Sequence, residues 1–157
     1  MELIAITEQG LPAKMIGELP EMATQIVIST AAMYETAGYQ APWIGYLAVE
    51  KGGCVGTCAF KAAPRNGEVE IAYFTFPQYE GRGVATRMAT LLINIARREI
   101  PGLIVTAQTL PMDNASNAIL KKLGFVYSGE RDHSEDGRVW DWRLIPSGAV
   151  EASPELG

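Results

Sequence analysis

The stretch Phe76-Pro77-Gln78-Tyr79-Glu80-Gly81-Arg82-Gly83-Val84-Ala85-Thr86 decides the fold, because here a β-like run gives way to an amphipathic helix. Glycines at 81 and 83 let the backbone turn tightly and come close to a ligand, and the amides of a first helical turn point outward. Such a turn is an anion site that a diphosphate fits, with main-chain donors doing most of the holding and Arg82 adding charge. A P-loop ends in Gly-Lys-Ser/Thr, and Gly83-Val84-Ala85 lacks the lysine. A dinucleotide fingerprint requires a third small position and an acid about 20 residues on. Thr86 takes the third position, and the next strand ends in Gln108. Taken alone, two glycines suit a plain turn as well as a ligand loop.

The segments on either side supply the context. Val84, Met88, Leu91, Leu92 and Ile95 recur at helical spacing, with Arg82, Arg87, Arg97 and Arg98 off the stripe, and Pro101-Gly102 ends the helix. Upstream, Trp43 to Glu50, Cys54 to Lys61 and Glu68 to Phe76 read as three antiparallel strands around the Gly52-Gly53 and Pro64 to Gly67 turns. Downstream, Leu103 to Gln108 suits a buried strand reached through the helix, which predicts a βαβ crossover. Asn114 or Asp113 caps a further helix carrying Ala118, Ile119 and Leu123 and stopping at Gly124. Phe125 to Gly129 and Val139 to Ile145 are two more strands around the Asp132 to Gly137 turn. In the first forty residues, Ala23, Ile26 and Thr30 favour one or two helices within Glu18 to Ala37, although Ile26-Val27-Ile28 also suits a strand. The fold class is therefore mixed α/β.

A chain of 157 residues is the size of one domain, expected over residues 1–146, with the small, polar stretch 147–157 as a disordered tail. The net charge of -5 provides no basic face for a nucleic-acid backbone. Cys54 and Cys58 sit on one strand, roughly 13 Å apart and out of disulfide range, which predicts buried, reduced thiols. The single histidine, His133, falls in a polar loop with no paired Cys or His motif, so no metal is expected. Neither a secretory signal nor an apolar run of membrane-spanning length is evident, so no membrane partner and a cytoplasmic location are expected. Trp43, Tyr46, Trp140 and Trp142 alternate along strands and read as core before acceptor wall.

The decisive stretch resembles the acetyl-CoA pyrophosphate loop of the GNAT superfamily of N-acetyltransferases, Gln/Arg-x-x-Gly-x-Gly/Ala. Here Gly83-x-Ala85 follows Arg82, with Glu80 where the family usually has Gln or Arg. Asn114-Ala115-Ser116 and Lys122-Leu123-Gly124-Phe125 are similar to the Asn-x-Ser…Lys-x-Gly-Phe signature of the branch related to ribosomal-protein N-terminal acetyltransferases. The resemblance spans about residues 44 to 145. It implies a central mixed, twisted sheet flanked by helices, acetyl-CoA as cosubstrate without a metal, and a primary amine, small molecule or protein N-terminus, attacking directly.

It also implies roles. The backbone of Tyr73, Phe74 and Thr75 binds the pantetheine and the acetyl oxygen, and Gly81, Arg82, Gly83, Val84, Ala85 and Thr86 hold the diphosphate. Glu70, or Glu68 two residues before it on the same face, deprotonates the ammonium. Asn114 contacts the pantetheine arm or an ordered water. Ser116 donates to the thiolate in place of a tyrosine that falls at Leu120, with Tyr127 and bulk water as other donors. A homodimer is common in the family. The competing reading is a non-catalytic acyl-CoA-binding sensor or regulatory module.

Overall fold

The computed structural model of the chain describes residues 1–135 and 137–146, so the expected tail lies outside the described residues. In chain order the elements are β1 (Glu2–Ala5), α1 (Glu21–Ala37), β2 (Gly45–Glu50), β3 (Gly53–Phe60), β4 (Glu68–Thr75), a 3-10 turn (Pro77–Tyr79), α2 (Val84–Glu99), β5 (Ile104–Thr109), α3 (Asn114–Lys122), β6 (Val126–His133) and β7 (Gly137–Leu144). Strand pairing runs β1-β2-β3-β4-β5-β7-β6, parallel between β4 and β5 and antiparallel elsewhere. This is the mixed α/β sheet that the sequence predicts. The chain forms two compact units, Met1–Ala63 with Ile71–Leu92, and Pro64–Glu70 with Ile93–Gly157.

The first unit contains the antiparallel meander β1-β2-β3 with residues 71–75 of β4. Gly45 and Gly56 sit on opposite faces of it, and each lets a helix come close. A Cβ at Gly45 would lie 2.8 Å from Thr30 Cγ2 of α1, and one at Gly56 would lie 2.6 Å from the Phe74 carbonyl oxygen and 3.1 Å from Met88 Cε of α2. Helix α1 absorbs Ile26-Val27-Ile28, so the strand alternative falls away: Val27 is buried and Ile28 is exposed. The Tyr34 hydroxyl donates to Ile6 O at 2.8 Å and accepts from Gly45 N at 3.0 Å, tying α1 to the sheet. Strand β1 had no counterpart in the sequence reading, because four residues at a sheet edge are too few to show a period. Cys54 and Cys58 are buried free thiols, as expected, and burial pushes Cys58 up to about 12.

In the second unit, Glu68, Val69 and Glu70 pair in parallel with Ile104, Val105 and Thr106, completing the expected crossover through α2. Val69, Val105, Ala107, Thr109, Trp142 and Leu144 bury one sheet face. The expected apolar face of α3 needs correction. Ala118 is exposed and Ile119 and Leu123 are half-buried, while Asn117 and Leu120 point inward. An inward asparagine is acceptable because its Oδ1 accepts from Thr109 Oγ1 at 2.5 Å and its Nδ2 donates to Pro111 O at 3.3 Å. Trp142 Nε1 completes the chain by donating to Thr109 Oγ1 at 2.9 Å. Strand β6 runs past the predicted end at Gly129 to His133, because the charged residues that read as loop are paired with β7. Of the four aromatics expected in the core, Trp43, Tyr46 and Trp142 are buried and Trp140 is half-buried.

Candidate active site

The decisive stretch lies in the first unit. Its φ angles are +78° at Gly81 and +76° at Gly83, the left-handed region that favours glycine. No atom lies within 4 Å of a Cβ placed at Gly81, whereas one at Gly83 would meet Arg87 Nη1 at 2.9 Å. The first helical bond of α2 is Arg87 N to Gly83 O at 3.1 Å, so the amides of Val84, Ala85 and Thr86 precede the ladder. The first turn of α2 carries no acidic side chain to compete for an anion. Arg87 braces the turn: its Nη1 donates to Arg82 O at 2.9 Å, and its Nε and Nη2 grip Glu50 at 2.6 and 2.9 Å. That grip holds Glu50 below the usual carboxylate range. Sequence reasoning missed this clamp, since its partners are 37 residues apart. Arg82 lies 5.7 Å from the Tyr79 ring centroid and lines a cleft of about 1000 Å³ with Lys14, Lys51, Glu50 and Arg87.

Strand β4 leads into that turn with alternating backbone groups. Phe76 N donates to Val55 O at 3.0 Å, so the pairs Thr57↔Phe74 and Ala59↔Ala72 share the bonded parity. Phe74 therefore turns its N–H and C=O to β3, while Tyr73 and Thr75 turn theirs to the opposite edge. Pairing of β4 with β5 stops at Glu70, before either residue. The Thr75 hydroxyl is buried with no hydrogen-bond partner among the described residues, and Phe74 is 45% exposed.

The predicted catalytic residues fall in the second unit. Glu70 is half-buried opposite Thr106, and Glu68 pairs through Oε2 with Arg143 Nη1 at 2.8 Å. Asp113 caps α3 by accepting from Ser116 N at 3.1 Å, which leaves Asn114 as the exposed first helical residue. Ser116 is half-buried in the first turn of α3. Leu120 is fully buried, and Tyr127, itself 46% exposed, packs edge-on against Trp140 and Trp142. No group of three metal-ligating side chains occurs among the described residues, and none of their helices is long and apolar enough to cross a membrane.

The one parallel pairing of the sheet is thus reached through a helix whose first turn follows two left-handed glycines and leaves its amides outside the helical ladder. The family model for the acetyltransferase (GNAT) domain matches residues 13–126, and the chain belongs to that family. No curated protein matches the sequence. Among the solved structures that share the fold are three acetyltransferases. The ribosomal L7/L12 α-N-protein acetyltransferase RimL, in complex with coenzyme A, is 21% identical, with a TM-score of 0.62 over 80% of this chain and 72% of that one. An acetyltransferase from Salmonella typhimurium that modifies the N-terminal serine of L7/L12 is 18% identical, with a TM-score of 0.63 over 80% and 74%. The microcin C7 self-immunity acetyltransferase MccE, in complex with acetyl-CoA and AMP, is 14% identical, with a TM-score of 0.64 over 80% and 71%.

Proposed function

We propose that residues 1–146 form one N-acetyltransferase domain that moves the acetyl group of acetyl-CoA to a primary amine by direct attack. The observation that carries this reading is the cradle at the head of α2, where two left-handed glycines precede a turn of amides outside the helical ladder. Its residues fit acetyl-CoA. Gly81, Gly83, Val84, Ala85 and Thr86 offer main-chain donors to the diphosphate, and Arg82 offers charge. The β4 edge at Tyr73 and Thr75 offers backbone groups to the pantetheine, and the buried Thr75 hydroxyl offers one more polar atom. Phe74, whose backbone serves β3, contributes its exposed ring instead.

When bound, acetyl-CoA supplies an activated acyl thioester. The other steps fall to side chains. An amine attacks only as the free base, so a carboxylate must take its proton, directly or through water. Glu70 is assigned that role, with Glu68, whose Oε2 pairs with Arg143 Nη1 on the same strand face, as the alternative. Ser116 is assigned as donor to the departing thiolate, its backbone held by its amide donating to Asp113 Oδ1. Asn114 is freed from capping by Asp113, and its exposed amide is assigned to the pantetheine arm or an ordered water. Two of the structures that share the fold were solved with CoA or with acetyl-CoA and AMP, which supports the cosubstrate, and two are acetyltransferases of the ribosomal protein L7/L12, which supports a protein N-terminus among the acceptors.

The test is isothermal titration with acetyl-CoA and CoA, followed on the same sample by thiol release over an amine panel. Binding with release supports the transferase, and binding without release over the whole panel returns the sensor reading. Glu70→Gln is expected to cut kcat by 10²-fold or more and to abolish the acid limb of its pH profile. An unchanged profile would remove Glu70 from the mechanism.

A further inference from the structure

The cleft beside the cradle lies wholly within the first unit, and its charges do not cancel. Four cationic side chains line it, Lys14, Lys51, Arg82 and Arg87, against two carboxylates, Glu2 and Glu50. Each carboxylate is already held by one of the cations: Lys14 Nζ donates to Glu2 Oε2 at 2.8 Å, and Arg87 Nε donates to Glu50 Oε2 at 2.6 Å. Lys51 and Arg82 are exposed, and neither forms an ion pair among the described residues. Arg87 holds their segments together. Its Nη2 donates to Glu50 Oε1 at 2.9 Å, one residue before Lys51, and its Nη1 donates to the Arg82 carbonyl at 2.9 Å. One guanidinium thus joins the turn that carries Lys51 to the loop that carries Arg82. Lys51 also stands where lysine is a poor choice for the backbone. Glu50 faces Gly53 across a two-residue turn, with φ of +53° at Lys51 and +79° at Gly52. Asn-Gly makes such a turn most readily, because asparagine tolerates the left-handed region better than lysine. The turn gives no reason for a lysine, and the cleft that it lines does.

We propose that this cleft is a second phosphate site, distinct from the main-chain cradle, in which Lys51 and Arg82 hold a phosphate monoester carried on a nucleoside-sized body. Such a group bears roughly two negative charges at neutral pH, since its second proton leaves near pH 6. It therefore answers both cations that Glu2 and Glu50 leave over, whereas a carboxylate answers one. Arg82 offers a planar fork to two phosphate oxygens, and Lys51 offers a compact charge with rotatable donors. The cleft, at about 1000 Å³, has room for a body as well as a phosphate, and Ile4, Val49, Val55 and Val84 give that body an apolar wall. A cationic ligand finds the two carboxylates already engaged and the remaining charge repulsive. The phosphate monoester has two possible sources. CoA carries one on its ribose in addition to its diphosphate, and Arg82 stands at the border of cleft and cradle, so one molecule can occupy both. A separate nucleotide carries the same group. The first source rests on the acetyl-CoA reading above, and the second does not.

The test is calorimetric titration with CoA, with dephospho-CoA, which lacks only the ribose phosphate, and with AMP, the last both alone and on protein saturated with dephospho-CoA. Lys51→Asn removes the charge and suits the turn, Lys51→Arg keeps the charge, and Lys14→Gln removes an equal charge from the same cleft at a residue that Glu2 already holds. Where the phosphate is that of CoA, the wild-type protein binds CoA about tenfold or more tightly than dephospho-CoA, and the two converge in Lys51→Asn. Where it belongs to a separate nucleotide, CoA and dephospho-CoA bind alike, and AMP binds the saturated protein until Lys51→Asn abolishes it. In either case Lys51→Arg should restore most of the affinity and Lys14→Gln should change it little. Equal binding of CoA and dephospho-CoA together with no binding of AMP would overturn the proposal. So would affinities that Lys51→Asn leaves unchanged, or that Lys14→Gln lowers as much. A protein that binds neither CoA nor dephospho-CoA fails the acetyl-CoA reading instead, and AMP alone, with or without its loss in Lys51→Asn, then decides for or against the cleft.

Discussion

The Tyr34 hydroxyl satisfies two buried backbone groups at once, the carbonyl of Ile6 and the amide of Gly45. Removing it leaves both without their partner in a place where water does not replace it. Tyr34→Phe is therefore expected to lower stability by about 1–3 kcal/mol, seen as a lower urea midpoint at unchanged slope. Cys58 gives a prediction in pH. Burial raises its thiol from 9.0 to about 12, so the folded chain keeps a proton that the unfolded chain releases. The contribution is complete below pH 9.0 and is lost as pH rises through about 12. At pH 8 the native protein should react with a thiol reagent only at the rate at which it opens. Rapid labelling without denaturant would contradict the burial. Neither effect was legible in the sequence beyond the expectation of buried thiols, since a tyrosine in an amphipathic helix does not announce which strands its hydroxyl will reach.

At the level of elements, Gly56 of β3 lies beneath α2, where an added Cβ would come within 3.1 Å of Met88 Cε, and beside the Phe74 carbonyl of β4. A Cβ there would lie 2.6 Å from a backbone oxygen, which has no freedom to move aside as a flexible side chain would. Gly56→Val should cost about 1–3 kcal/mol through overpacking. It should also weaken CoA binding measured by calorimetry, because the displaced helix carries the cradle at its first turn. Gly102→Ala, where no atom lies within 4 Å of the new methyl, should leave both unchanged. A Gly56→Val protein that binds CoA as wild type would show that the cradle does not depend on the seating of α2. Helix α2 and its loop were legible because a long apolar stripe and two glycines report directly on local geometry. The inward face of α3 was not, because Asn117 is polar by composition and becomes core only through Thr109 and Pro111. The register of β6 was hidden for a similar reason: Asp132 and His133 read as turn until β7 is there to pair with them.

Across the whole molecule, the order of elements from the meander to the last hairpin was readable from periodicity and turn residues, and the matched motifs gave the family. Both carry information along the chain. Long-range partners, such as Glu50 for Arg87 and Asp141 for Arg131, depend on which strands become neighbours and were out of reach. Strand β4 is the one strand to which both compact units contribute, with residues 68–70 in one and 71–75 in the other. Its alternation makes adjacent positions unequal in time: the Phe74 amide lies in the ladder to β3, whereas that of Thr75 faces the edge beyond the last parallel bridge. In deuterated solvent the Thr75 amide should exchange orders of magnitude faster than its neighbour, and added acetyl-CoA should slow Thr75 while leaving Phe74 as it was. On the proposed function, the strand would then work as a built-in clock for cosubstrate occupancy, read at two consecutive residues without any label.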